Sequence, residues 1–120
     1  MIEFKAKLPL KHLKKHPEKY PDLTQYEVEF MIIVEGRIFF EEPNFPLLEF
    51  LKSINVWKNS NEEKTFNYVS IETDDNPLIS FMYEKDKWII QSPWQQFKCD
   101  TEFTRQQLIE AIERFEKTLG

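Results

Sequence analysis

Apolar and polar residues alternate in several short segments of the chain, and this period of two predicts β-strands. The clearest case runs from Gln25 to Val34, where every second residue is apolar and the first intervening residues are polar. Gly36 marks a tight turn, and residues 37–41 (RIFFE) supply the second strand of a hairpin. Residues 1–8 (MIEFKAKL) predict a short edge strand before these two.

Three further strands are predicted in the second half of the chain. They cover residues 65–73, 78–83 and 88–92, and they are rich in aromatic and β-branched residues. The connections at 74–77 (DDNP) and 84–87 (EKDK) are good turn sequences.

Two segments show apolar residues at spacings of three and four, which predicts amphipathic helices. The first helix begins near Pro46, a residue that favours helix starts. The second begins at Thr104, which forms a capping box with Gln107. The apolar stripes are Leu47, Phe50, Leu51, Ile54 and Trp57 in the first helix and Leu108, Ala111, Ile112, Phe115 and Leu119 in the second.

The predicted order of elements is β-ββ-α-βββ-α, an α+β fold in a single domain over residues 1–120, with a lysine- and proline-rich segment at 1–22. Short connections favour antiparallel neighbours, so we expect one antiparallel sheet of five to six strands with both helices on one face. Such a sheet is about 25 Å wide, whereas two helices cover roughly 20 Å of one face. Several strands carry aromatic residues on alternate sides, so the second face of the sheet should be aromatic too. We expect that face to be covered by the N-terminal segment, a second copy or a partner, or to be closed by strong curvature of the sheet.

Composition and charge narrow the class of protein. Hydrophobic residues make up 41% of the chain and aromatic residues 15%, which argues against disorder. The net charge is −5, but residues 1–19 carry six lysines against two glutamates, so the remainder is strongly acidic. An acidic body repels nucleic acid, and no apolar run is long enough for a membrane span or a signal peptide. Because Cys99 is the only cysteine, no intrachain disulfide can form, and we expect a cytoplasmic protein.

No residue pattern points to catalysis. The chain has no phosphate-binding glycine loop and no GxSxG, HExxH or CxxC motif. His12 and His16 have the spacing of metal ligands, but no cysteine or carboxylate cluster lies nearby, and Lys14 and Lys15 repel a cation. Cys99 is interpreted as structural rather than nucleophilic. We therefore expect a protein without enzyme activity, metal or cofactor.

Acidic pairs and aromatic side chains point instead to protein binding. Solvated carboxylates steer a basic partner, and exposed aromatic rings anchor one. Trp57 and Trp88 are expected in the core, whereas Trp94, next to a proline, is expected to be partly exposed. The predicted partner-binding residues are Glu41, Glu42, Glu62, Glu63, Tyr68, Asp74, Asp75, Tyr83 and Trp94.

Three sequence features carry a resemblance: the helix start FPLLEFL at 45–51, Trp57, and the segment WIIQSPWQQF at 88–97 that leads to an acidic amphipathic helix. In style and order they resemble the small acidic bacterial immunity proteins of polymorphic and contact-dependent toxin systems. The resemblance implies tight binding of a cognate toxin domain, without chemistry of its own. Two alternatives stay open: a self-associating structural or regulatory domain that forms a homodimer through sheet faces, and a small ligand-binding protein.

Overall fold

The structure is a computed structural model that describes residues 1–7, 27–60, 63–70 and 73–119. The elements follow the predicted order, which is confirmed as an α+β arrangement. His12, His16, Glu62 and most of the segment 1–22 lie outside the described residues. The elements are β1 Ile2–Lys7, β2 Glu27–Val34, β3 Arg37–Pro46, α1 Leu47–Asn59, β4 Phe66–Tyr68, β5 Ile79–Glu84, β6 Lys87–Gln91 and α2 Arg105–Thr118.

The described strands form two three-stranded antiparallel sheets, so the prediction of one sheet with five to six strands was wrong. The first sheet has the order β1-β2-β3 and the second has the order β4-β5-β6. In both sheets, each strand pairs with the strand that precedes or follows it in the sequence. An alternating pattern indicates which side of a strand is buried, but it does not indicate which strands share hydrogen bonds.

The hairpin between β2 and β3 explains how two neighbouring rings enter the core. Glu35 and Gly36 have φ angles of 51° and 76°, and two successive positive values are typical of the type I′ turns that join twisted antiparallel strands. Within the hairpin, a register shift leaves Phe39 without a partner on β2, and both Phe39 and the next residue, Phe40, are buried. The strand then continues to Pro46, beyond the predicted end.

Both predicted helices are present, and they lie against each other. α2 begins with the predicted capping box, in which the side chains of Thr104 and Gln107 each accept from the other's backbone N–H. α1 begins directly after Pro46 without a side-chain cap. Asn55 on α1 donates to a carboxylate oxygen of Glu116 on α2 at 3.0 Å, which joins the two helices.

The aromatic side chains of both sheets point into one core. Phe50 of α1 lies near the centre, with its ring centroid 5.5 Å from that of Phe30 on β2. Phe4 of β1 lies 6.5 Å from Phe81 of β5, so rings from the two sheets are in contact. Every phenylalanine of the chain except Phe97 is buried. The core therefore belongs equally to both sheets.

Trp57 and Trp88 occupy the core as predicted, and their polar groups are satisfied there. Both indole N–H groups donate to the backbone carbonyl of Lys64, at 2.9 and 3.2 Å respectively. A shared acceptor allows two tryptophans to be buried without leaving an unpaired donor.

The outward side of the described strands β4, β5 and β6 carries no aromatic residue, which contradicts the expectation of an aromatic second face. Asn67, Ser80 and Gln91 form one cross-strand row there, and Met82 is the exposed apolar side chain of β5. The two narrow sheets face one common core, so the aromatic side of each sheet is buried by the other sheet and by α1 and α2. No helix among the described residues is both long and apolar enough to cross a membrane.

The core predicts a large difference between two positions on α1. Phe50→Ala removes a ring that contacts five other rings, and it should lower the free energy of unfolding by about 3–5 kcal/mol. Val56→Ala, at a side chain that is 68% exposed, should change it by less than about 0.5 kcal/mol. Urea denaturation measures both values, and similar losses would contradict this packing.

Candidate functional site

The predicted partner-binding residues do not form a single site. The first group lies near the beginning of β5 and consists of Glu42, Asp74, Asp75 and Trp94. The second group, Glu63 and Tyr83, meets at the other end of β5. Glu41 lies apart from both, on the outer face of the first sheet.

Tyr68 is buried, so its prediction as a residue that contacts a partner was wrong. Its relative exposure is 0%, and its hydroxyl donates to a carboxylate oxygen of Glu49 on α1 at 2.5 Å. Phe66 and Tyr68 share the inward side of the short strand β4, and Asn67 takes the outward side. The sequence predicts this alternation, but it does not identify the buried side.

Trp94 lies half-buried in the loop after β6, and three contacts fix its position. Its indole N–H donates to Asp75 Oδ2 at 2.8 Å. One face of its ring stacks on Phe40, with centroids 6.3 Å apart and planes 10° apart. Its backbone N–H donates to the hydroxyl of Ser92 at 3.0 Å. The partial exposure predicted for Trp94 is confirmed, and the indole is held in place by an acidic residue from a different loop.

The loop before β5 is organised by the side chain of Asn76. Its amide nitrogen donates to the carbonyls of Ser70 and Thr73 at 2.9 and 2.6 Å, and its oxygen accepts from the Ser70 N–H at 2.9 Å. The Asp75 N–H donates to the Thr73 hydroxyl at 3.0 Å. These contacts fix the backbone while Asp74 and Asp75 stay exposed at the surface.

Two hollows flank the bond between Asp75 and Trp94. The first, about 770 Å³, lies on the outer face of the second sheet and includes Asp74, Asp75 and the row Asn67–Ser80–Gln91 in its lining. The second, about 450 Å³, is lined in part by Glu42 and Trp94. No lysine or arginine lines either hollow among the described residues. We refer to Glu42, Asp74, Asp75 and Trp94 as the acidic surface around Trp94.

Tyr83, at the other end of β5, bonds two carboxylates. Its hydroxyl oxygen lies 2.8 Å from Asp86 Oδ1 and 3.1 Å from Glu63 Oε2, and its ring packs on Trp88 with centroids 4.6 Å apart. The hydrogen bond to Asp86, then burial, then the bond to Glu63 raise the pKa of Tyr83 to about 12. This happens because a tyrosinate would face two negative charges. The single phenol proton can be donated to either Asp86 in the turn after β5 or Glu63 in the segment before β4, so the hydroxyl is bonded within the chain.

A family model described as "Domain of unknown function (DUF7878)" matches residues 2–120. The chain belongs to the DUF7878 family. No curated protein and no solved structure matches it.

The described residues of this DUF7878 chain contain no group of three or more His, Cys, Asp or Glu that could hold a metal ion. Cys99 is buried, and its sulfur lies 4.0 Å from the Thr101 carbonyl oxygen. What the arrangement around Trp94 offers is a set of fixed acceptor groups beside one indole ring, which suits binding.

Two residues important to these sites were missed in the sequence. Asn76 was read only as part of a turn, although an Asn before a proline can bond several backbone groups at once. Asp86 was read the same way, and its position three residues after Tyr83 in a short turn was the available signal. Both act through contacts that form only once the turn has folded.

Tyr83 of the DUF7878 chain should titrate unusually late. The difference between wild type and Tyr83→Phe in an ultraviolet tyrosinate titration isolates this group, and we expect its pKa at about 12. In Asp86→Asn the difference should move towards the ordinary value of about 10. Because the folded-state pKa is raised, the neutral phenol stabilises the fold up to about pH 10 and loses that effect as the pH approaches 12. A value near 10 in wild type would contradict the two carboxylate contacts.

Proposed function

We propose that this DUF7878 protein is a non-enzymatic binding protein of the immunity type, which neutralises a cognate toxin by docking it on the acidic surface around Trp94. The proposed partner is a basic protein domain, and the proposed compartment is the bacterial cytoplasm. Neither nucleic acid nor a membrane is a proposed partner, because the chain is acidic outside residues 1–19.

The charge of this surface supports a basic partner. Glu42, Asp74 and Asp75 are carried by two separate parts of the chain, and the hollows beside them have no basic residue in their described linings. A concave surface lined by one sign of charge raises the local concentration of an oppositely charged partner and speeds its association. Charge also rejects acidic competitors, which gives specificity.

Pre-organisation supports the same role. Trp94 is held on Phe40 and by Asp75, so little side-chain freedom is left to lose when a partner covers it. Tryptophan is enriched among the residues that dominate binding energy because it buries a large area with few rotatable bonds. The observation that carries the proposal is the bond between Trp94 and Asp75, which joins an aromatic anchor to a carboxylate at a concave surface.

Binding to the product of the adjacent gene tests the proposal. Titration calorimetry at two salt concentrations should show micromolar or tighter binding that weakens as salt rises. Asp74→Asn combined with Asp75→Asn should weaken binding about tenfold or more and flatten the salt dependence. Trp94→Ala should weaken it by a similar or larger factor.

Glu113→Gln is the matched control, because Glu113 is an exposed carboxylate on α2, outside the linings of both hollows. Its binding constant should stay within about threefold of wild type. Equal losses in the control and in the aspartate variants would place the interface elsewhere. Absence of binding at micromolar concentrations would reject the toxin-neutralising role.

A further inference from the structure

The outer face of the first sheet has a regular arrangement that the acidic surface around Trp94 does not use. Its side chains come from alternate positions of β1, β2 and β3, opposite to those that bury their rings. The strand pairing places them in cross-strand rows. The rows are Glu3–Ile33–Ile38, Lys5–Met31–Glu41 and Lys7–Glu29.

The centre of this face is apolar. Met31 and Ile33 are half-buried neighbours on β2, and Ile38 on β3 is 42% exposed although it is a large aliphatic residue. A hollow of about 330 Å³ beside Met31 is lined by Met31, Glu41 and Glu42 among other residues. On its described strands, the outer face of the second sheet carries the polar row Asn67–Ser80–Gln91 and only one apolar pair, Met82–Ile89. Contiguous exposed apolar side chains with a charged rim are typical of protein interfaces.

The charges on the two edges of the face are complementary to each other. Lys5 lies on the edge strand β1 and Glu41 lies on the opposite edge strand β3, with Met31 between them in the same row. With strands about 4.8 Å apart, these two charged positions are roughly 10 Å apart with Met31 between them. Within the chain, Lys5 Nζ lies instead 4.0 Å from Glu3 Oε2 on the same strand, in an exposed pair. The outward side of β1 carries Glu3 besides Lys5 and Lys7, so its excess of positive charge is small. Lys5 in the middle of this edge is still complementary to Glu41 on the opposite edge of a second copy.

We propose that a second copy of this chain covers this face, with a two-fold axis parallel to β2 that passes beside Met31. Rotation about such an axis places β1 of one copy over β3 of the other. Lys5 of each copy then faces Glu41 of the other, and the two Met31 side chains meet at the axis. Ile33 packs against Ile33 beside them, which removes the apolar centre from water. The same rotation places Glu3 of each copy over Ile38 of the other, at the rim of the face.

One like-charge contact also lies on this axis and is locally balanced. Glu29 of each copy meets Glu29 of the other, but the Lys7 ammonium of the same chain lies 3.7 Å from each Glu29 carboxylate. Four alternating charges at this end are less repulsive than two bare carboxylates. The edge strand β1 also carries Lys5 and Lys7, which disfavour edge-to-edge pairing and leave face-to-face contact as the alternative.

The size of the face predicts a weak dimer. Three strands and about five residues along each strand span roughly 14 by 17 Å, or roughly 240 Å², less than the ~800 Å² per subunit of a typical stable interface. We therefore expect concentration-dependent dimerisation in the range of tens to hundreds of micromolar. Of the acidic surface around Trp94, only Glu42 borders this face, since it also lines the hollow beside Met31. Trp94, Asp74 and Asp75 take no part in the dimer, so the dimer and the proposed toxin binding can fail independently.

Sedimentation equilibrium of the full chain, from about 10 μM to about 1 mM, tests the proposal. Wild type should shift from monomer to dimer over that range. Lys5→Glu and Glu41→Lys should each raise the dissociation constant about tenfold, because each places like charges at two symmetric contacts. The double variant K5E/E41K restores opposite charges and should return to within about threefold of wild type.

Val69→Asp is the matched control, because Val69 is 58% exposed but follows β4 of the other sheet. It should leave the dimer unchanged, whereas Ile38→Asp should abolish it. Urea denaturation confirms that each variant folds. A monomer at the highest concentration, a double variant that does not recover, or a dimer lost in Val69→Asp and kept in Ile38→Asp would each overturn the proposal.

Discussion

The constraint on which the rest of the structure depends is that two narrow sheets must bury their aromatic sides in a single core. Rings from β1, β2, β3, β5 and both helices meet there, and Phe30 contacts rings from β1, β3, α1 and α2. A three-stranded sheet alone cannot cover its own apolar side. Each sheet is therefore stable only because the other sheet and the helices lie over it, which ties the two halves of the chain into one unit.

This closed core determines what kind of surface is left for function. Nearly all the large rings are used inside, so a partner meets carboxylates, amides and a few aliphatic side chains rather than an aromatic face. Among the described residues, Tyr83, Trp94 and Phe97 keep partly exposed rings. Trp94 lies at the border between the core ring of Phe40 and the carboxylate of Asp75. Recognition by such a surface relies on charge and on one fixed anchor, and this favours fast, salt-sensitive association. The weak apolar centre around Met31 suits a second, lower-affinity contact.

Local signals in the sequence predicted the elements well and the sheets poorly. The order of strands and helices follows from side-chain periodicity, and the capping box of Thr104 and Gln107 follows from their spacing, because both are contacts between near neighbours. The division into two sheets depends on pairing between strands, which periodicity does not encode. The same limit explains Tyr68, whose alternation was recognised but whose buried side was not. Among the site residues, Asp74, Asp75 and Trp94 were singled out separately, and only the fold brings Asp75 to the indole N–H.

The central claim is that the aromatic core is closed and that, of the three tryptophans, only Trp94 is exposed to solvent, next to acidic residues. Selective quenching of tryptophan fluorescence tests this claim most directly. Caesium is a cationic quencher and iodide an anionic one, and Trp94→Phe assigns the accessible signal. The structure predicts that only the Trp94 component is quenched and that caesium quenches it more than iodide, because Asp75 attracts cations. Quenching of Trp57 and Trp88 in the folded protein, or stronger quenching of Trp94 by iodide, would contradict this account.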